Sequence, residues 1–196
     1  MAKMGGSRED AIRNVFRQIL EALMYMHSKG VCHAYMSPEN VLIDRDGRPY
    51  ITDCSMSLLM PTTEDGRRCM SVRDCRIPKD WYCSPEVFKN NDYDGVKIDV
   101  FAAGAMLFMM LKGFAPFESA TRADPAFKKL VWEGDVQGLL QSYDEDELST
   151  DAAGLICSLM AYEPEDRPTP EEALAHQWFN PPPPPEVSEA AEATVA

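Results

Sequence analysis

The stretch from His33 to Asn40 gathers most of the side chains in this 196-residue chain that could do chemistry together. It reads His33-Ala34-Tyr35-Met36-Ser37-Pro38-Glu39-Asn40 and runs on into Val41-Leu42-Ile43. A further carboxylate, Asp53, follows 13 residues after Asn40. A phenol, with an ordinary pKa of about 10, is protonated at neutral pH and donates a hydrogen bond, so Tyr35 is no proton acceptor. Glu39 is the stretch's own carboxylate. It reads either as a base or contact for basic side chains, or as a solvated loop acid, and we favour the second.

Other chemistries find little support. The six Cys (32, 54, 69, 75, 83 and 157) show neither C-x-x-C nor zinc-ligand spacing with the three His. Cys69 and Cys75 fall in a polar loop and read as ordinary loop thiols. The first residues, Met1 to Asp10, hold no apolar run and read as no signal peptide, so we expect reduced thiols in an intracellular, cytoplasmic protein, with the nucleus also open. A net charge of −13 argues against nucleic acid and anionic membranes, which need Lys/Arg patches, and favours basic peptides where it matters at all. The longest apolar run, Val100 to Leu111, is 12 residues, which suits a buried helix and not a membrane span.

A chain with 45% hydrophobic and 26% charged residues supports one globular core. Ser7-Arg8-Glu9-Asp10 predicts a capped helix start, and Ile12, Val15, Phe16, Ile19, Leu20, Leu23 and Met26 keep helical spacing up to Lys29-Gly30. Val41-Leu42-Ile43 and Pro49-Tyr50-Ile51 flank Asp44-Arg45-Asp46-Gly47 as a short hairpin. Ser55 to Lys79 is polar and irregular. Asp99 to Leu111 is apolar nearly all round and predicts a central helix ended by Gly113. Ala126 to Trp132, Val136 to Ser142, Thr150 to Tyr162 and Pro170 to Phe179 predict further helices. Residues 1–6 and 181–196, the latter polyproline and then acidic, read as disordered ends around one domain over 7–180. The helical methionines, Met24, Met26, Met106, Met109 and Met110, read as core fillers.

The order of landmarks resembles the protein kinase superfamily. His33 to Asn40 is similar to the catalytic loop H-R-D-x-x-x-x-N, and Thr52-Asp53-Cys54-Ser55 stands where D-F-G is found. Trp81 to Glu86 resembles the segment ending in A-P-E. Lys97 to Phe101 with Gly104, Gly113 to Phe117, Glu163 to Thr169 and His176 to Phe179 resemble the later helices. Pro38-Glu39-Asn40 and Arg167-Pro168 fit serine/threonine kinases, and the details look like the calcium/calmodulin-dependent branch. The resemblance implies a mainly α (α+β overall) fold, a kinase-like C-terminal lobe with a short β-hairpin at the cleft.

It also implies roles. Asn40 and Asp53 match the positions that hold Mg²⁺, and Leu42 matches the apolar residue under the adenine. His33 ties the loop to the core, Asp99 accepts from the loop backbone, and Glu86 and Arg167 form a buried ion pair. The departures are equally plain. Tyr35 stands at the catalytic Asp position, and loss of a positioned base costs about 10²–10⁴-fold in rate. Ser37 stands at the loop Lys, and Ala34 at the Arg that would clamp a phosphate on Thr62, Thr63 or Ser71. Cys54 and Ser55 replace the Phe and Gly of D-F-G. No G-x-G-x-x-G and no strand Lys precede His33, so the resemblance covers the large lobe alone, and the face a small lobe would cover is expected to expose apolar groups.

Three readings follow. The leading one is a pseudokinase-like large lobe that acts as a binding or scaffold module for a protein or basic peptide. The second is a divergent serine/threonine kinase using Mg-ATP, whose small lobe is missing from this chain. The third is a non-functional remnant of duplication. Mg-ATP is expected to bind productively only on the second.

Overall fold

The computed structural model describes residues 7–61, 69–70, 81–88 and 93–181. The expected disordered ends at 1–6 and beyond Pro181 lie outside the described residues, as do Thr62, Thr63, Ser71, Cys75 and the side chain of Cys69.

Ser7 starts α1 (Arg8–Ser28) with a reciprocal cap: its Oγ accepts the Asp10 N–H at 3.2 Å while Asp10 Oδ2 accepts the Ser7 N–H at 2.8 Å. The helix buries Phe16, Ile19, Leu20, Leu23 and His27. Met24 is not the core filler its type suggested, since it is 39% exposed. One step along a helix turns it by about 100°, so the residue after Leu23 swings off the buried stripe. Met106 is buried, and Met26, Met109 and Met110 are half-buried.

Three two-stranded antiparallel ribbons follow from short pieces. β1 (Val31–Cys32) pairs with β4 (Leu58–Leu59), and β2 (Val41–Ile43) with β3 (Pro49–Ile51); β5 (Cys69–Met70) pairs with β6 (Tyr93–Asp94). The β2–β3 turn is set by Asp44 Oδ1, which accepts the N–H of Asp46 at 2.8 Å and of Arg48 at 2.9 Å, while Gly47 takes φ +81°. The segment after Asp53 is thus less irregular than its composition implied: a 3₁₀ turn over Cys54–Met56 leads into β4.

The central helix α2 (Gly95–Lys112) starts four residues before Asp99, because Asp94 caps it by accepting the Val96 N–H at 2.8 Å. Gly113 ends it at φ +88°. It is buried from Ile98 to Phe108, so its all-round apolar sequence reflects cover on every side. Among the described residues no helix is long and apolar enough to cross a membrane.

Most of the later helices are shorter than their patterns predicted. α3 (Pro125–Phe127) passes into a π turn over Lys128–Trp132. α4 (Val136–Ser142) matches its pattern, α5 (Thr150–Leu159) stops three residues early, and α6 (Pro170–Leu174) breaks before a 3₁₀ turn over Gln177–Phe179. That break has a cause: the His176 side chain accepts the Trp178 N–H and starts the new turn as its cap. Trp178 and Phe179 then pack on Phe16, at 6.2 and 6.3 Å between centroids, and Arg17 holds the Phe179 carbonyl at 2.7 Å. Helices α1, α2 and α5 with this terminal turn form the mainly α core, and the β2–β3 hairpin sits at its edge.

Candidate functional site

One buried carboxylate suspends the loop that begins at His33. Asp99 is 1% exposed, and its Oδ2 accepts the His33 N–H at 2.8 Å while Oδ1 accepts the Ala34 N–H at 2.8 Å. His27 Nε2 reaches the same Oδ2 at 2.8 Å; since an ionised carboxylate only accepts, the ring nitrogen donates. Ala34 sits at φ 59°, a left-handed geometry that a residue with a Cβ rarely adopts, and Asp99 fixes its amide there. His33 is fully buried; its Nε2 bonds the Thr52 carbonyl at 3.0 Å and its Nδ1 takes the Tyr35 N–H at 3.2 Å. A carbonyl accepts and an N–H donates, so the two contacts place the ring proton on Nε2.

The hairpin brings Asn40 and Asp53 to one rim. Thr52 N–H and Oγ1 both bond the Asn40 carbonyl, at 2.8 and 3.2 Å, directly beyond the Val41–Ile51 pair. Asn40 commits its amide nitrogen to the Tyr35 carbonyl at 2.8 Å, which leaves the amide oxygen outside that bond. Asp53 is exposed at φ 57°, and its Oδ1 accepts Ser55 Oγ at 2.5 Å and Ser55 N–H at 3.4 Å. The hydroxyl bond first, then the backbone bond, holds the Asp53 carboxyl below its usual range. An amide oxygen and an ionised carboxylate are oxygen donors of the type that would hold Mg²⁺. Leu42 (59% exposed), Ile43 and Tyr50 lie open on the same hairpin, with Leu42 opposite Tyr50. Cys54 is exposed beside Asp53.

Ser37 stands in a closed environment. A side chain at the loop Lys position would face phosphate, yet Ser37 is fully buried, and its Oγ has no hydrogen-bond partner among the described residues. Its hydroxyl therefore cannot take over the charge of the loop Lys. Tyr35 is half-buried and Glu39 exposed. Both lie close to Tyr82, whose phenol is pushed well above its ordinary pKa by burial, with Glu39 and Tyr35 adding to the shift. Tyr82 Oη is 2.9 Å from Met109 Sδ, so the segment 81–88 is pinned between the loop and α2.

Below it, Arg167 makes full use of its guanidinium. It bonds both Glu86 oxygens at 2.5 and 2.8 Å and the carbonyls of Ala161, Lys97 and Tyr162 at 2.7, 3.0 and 3.2 Å. Its five N–H donors meet five acceptors, and the Phe101 ring lies 4.8 Å from its carbon.

Two residues of this frame carried no signal in the sequence. His27 is 72 positions from Asp99 and looks like any residue in the last turn of a helix. Tyr82 stood out only as part of the 81–86 stretch.

The chain matches the protein kinase domain model over residues 2–179. It is 32% identical over 175 residues to the CBL-interacting serine/threonine-protein kinase 15 of Arabidopsis thaliana, covering 89% of this chain and 39% of that one. The CBL-interacting protein kinase 4 of Oryza sativa subsp. japonica is 34% identical over 172 residues (87% and 35%), and the sperm motility kinase Z of Mus musculus 32% over 173 (88% and 32%). The chain thus spans less than two fifths of the length of these relatives. With the mainly α fold and the edge hairpin in place, the chain belongs to the protein kinase domain family.

Proposed function

We propose that this chain is a catalytically impaired, pseudokinase-like large lobe that works as a binding or scaffold module for a protein or basic-peptide partner inside the cell. One observation carries the reading. The first two amides of the loop are held by Asp99, yet the side chains at its chemical positions are a methyl (Ala34), a phenol (Tyr35) and a buried hydroxyl (Ser37). A frame kept without its base and its cation supports binding rather than phosphoryl transfer. Net charge −13 favours a basic partner over nucleic acid or an anionic membrane.

Phosphotransfer from labelled ATP to generic basic peptides tests it. Incorporation should not exceed that of the Asp53→Asn variant; clear Asp53-dependent labelling would overturn the reading.

The placement of Asn40 and Asp53 on one rim favours a second reading, a divergent serine/threonine kinase completed by residues beyond this chain. There Asn40 and Asp53 would hold the Mg²⁺ of Mg-ATP, which neutralises phosphate charge, and Leu42 would line the adenine side. On that reading ATP with Mg²⁺ raises the melting temperature through binding linkage, and Tyr35→Asp raises turnover.

A further inference from the structure

Outside the loop and the hairpin, two aromatic rings form a corner that one of the chain's own cations fills. Trp132 closes the π turn over Lys128–Trp132, and Tyr162 follows the end of α5. Their rings stand at 85° to each other with centres 4.7 Å apart, and the fully buried Phe127 ring lies 6.4 Å from Tyr162. Arg122 reaches over this corner from the turn before α3. Its guanidinium carbon is 3.3 Å from the centre of the Trp132 ring and 5.3 Å from that of Tyr162. π turns are rare, and they recur at functional sites.

The way Arg122 is held says what the corner accepts. Among the described residues none of its five N–H donors finds an acceptor, and the two rings alone hold it. Arg122 is exposed, and Trp132 stays 44% exposed with the guanidinium in place. Arg122 can therefore swing away without breaking a hydrogen bond to these residues. Ring faces attract cations, and most strongly those that leave water. A cation suited to a corner of rings has no N–H to satisfy, which is the chemistry of a quaternary ammonium. Glu163, next to Tyr162, is exposed and makes no ion pair among the described residues, so it adds attraction for a positive group. The net charge of −13 favours a cationic group on a protein over an anionic membrane surface.

We infer that Trp132 and Tyr162 form a two-walled cage for the trimethylammonium group of a methylated lysine on a protein partner. Arg122 is the built-in occupant that this group displaces. The inference gives the partner-binding reading a chemical address, and the phosphotransfer assay tests that reading separately. The cage lies apart from Asn40 and Asp53, so it stands whether or not the rim takes nucleotide.

An NMR titration of the full chain tests this, with a Gly/Ser peptide that carries one trimethyl-lysine. The signal to follow is the Trp132 indole N–H, assigned by its absence from Trp132→Leu. The peptide should move it saturably. Replacing the trimethylammonium by its uncharged tert-butyl isostere should weaken binding about two- to fivefold, the worth of an exposed cation–π contact. Arg122→Ala removes the competitor and should tighten binding by a similar factor, a gain that a misfolded variant could not give. An isostere that binds equally well, an Arg122→Ala chain that binds no better, or no saturable shift in either chain would overturn the cage. Phosphatidylcholine vesicles should leave the indole signal in place; Trp132-dependent binding to them would assign the rings to a lipid headgroup and overturn the protein partner.

Discussion

Asp99 Oδ1 lies 2.8 Å from the amide nitrogen of Ala34, a residue 65 positions earlier whose backbone is left-handed. The same carboxylate takes the His33 N–H and His27 Nε2. Helix α2 therefore fixes, through one side chain, both the end of α1 and the start of the loop that carries Tyr35 and Asn40.

Removing that carboxylate should be among the most damaging single changes. Asp99→Ala leaves three donors without their acceptor in a site that is 1% exposed. At roughly 1–3 kcal/mol for each buried unsatisfied group, a loss of about 3–5 kcal/mol in urea unfolding is expected. His27→Ala removes one of the three bonds and should cost about half as much or less. A loss below about 1 kcal/mol for Asp99→Ala would show that the loop is held by something else.

Two buried hydroxyls predict the opposite sign. Ser37 and Ser84 are 0% and 1% exposed, and neither Oγ has a partner among the described residues. A buried hydroxyl without a hydrogen bond is unfavourable by about 1–3 kcal/mol, and alanine removes it with little change of volume. Ser37→Ala and Ser84→Ala should therefore be neutral or raise the melting temperature. Clear destabilisation by either would reveal a hydrogen bond to an ordered water or to residues beyond the described ones. Ser37→Lys, by contrast, forces a long cation into a closed site and should destabilise.

How far the sequence disclosed this molecule depends on the range of the cause. Ser7 and Asp10 sit three residues apart, so the start of α1 could be read directly. The apolar spacing of α1 and the all-round apolar run of α2 likewise announce a core. The break after Leu174 could not be read, since His176 can cap a new turn or extend the old helix with equal ease. β1 and β4 are two residues each, too short for any alternation to register. In the candidate site, the order of motifs disclosed the loop, the Asp53 segment and the Arg167 region. The burial of Ser37 and the contact of His27 with Asp99 come from tertiary packing, and no local pattern carries either.

Acid should weaken the turn before α3 in a defined direction. Burial works against ionisation of Asp124, but the N–H groups of Phe127, Ser119, Glu118 and Ala126 outweigh it and hold the carboxyl below its usual value. A group whose pKa is lowered on folding contributes stability above its unfolded pKa, about 4, and that contribution fades as pH falls through the lower folded value. Asp124→Asn should thus be less stable than the parent at pH 7. The gap between their urea midpoints should narrow as pH falls below the ordinary carboxylate range and the carboxylate becomes protonated. A gap independent of pH would mean that shape and not charge makes this cap.

Two glycines inside helices separate packing from propensity. Alanine is favoured over glycine in a helix interior by about 1 kcal/mol, so on propensity alone both Gly104→Ala and Gly154→Ala should stabilise. In α2, a Cβ on Gly104 would lie 2.6 Å from Met160 Cγ and 2.8 Å from Leu159 Cβ. Those neighbours are 1% and 0% exposed and have no open space to enter. Overpacking of this kind costs about 1–3 kcal/mol, enough to cancel or reverse the helical gain. In α5, Gly154 is exposed, and a new Cβ meets the His176 ring at 3.6 Å (Nε2) and 3.8 Å (Cε1), ordinary contacts. Gly154→Ala should therefore raise the melting temperature while Gly104→Ala lowers it. Stabilisation by both would mean that α2 and α5 pack less closely than the structure has them, and with them the helix on which Asp99 stands.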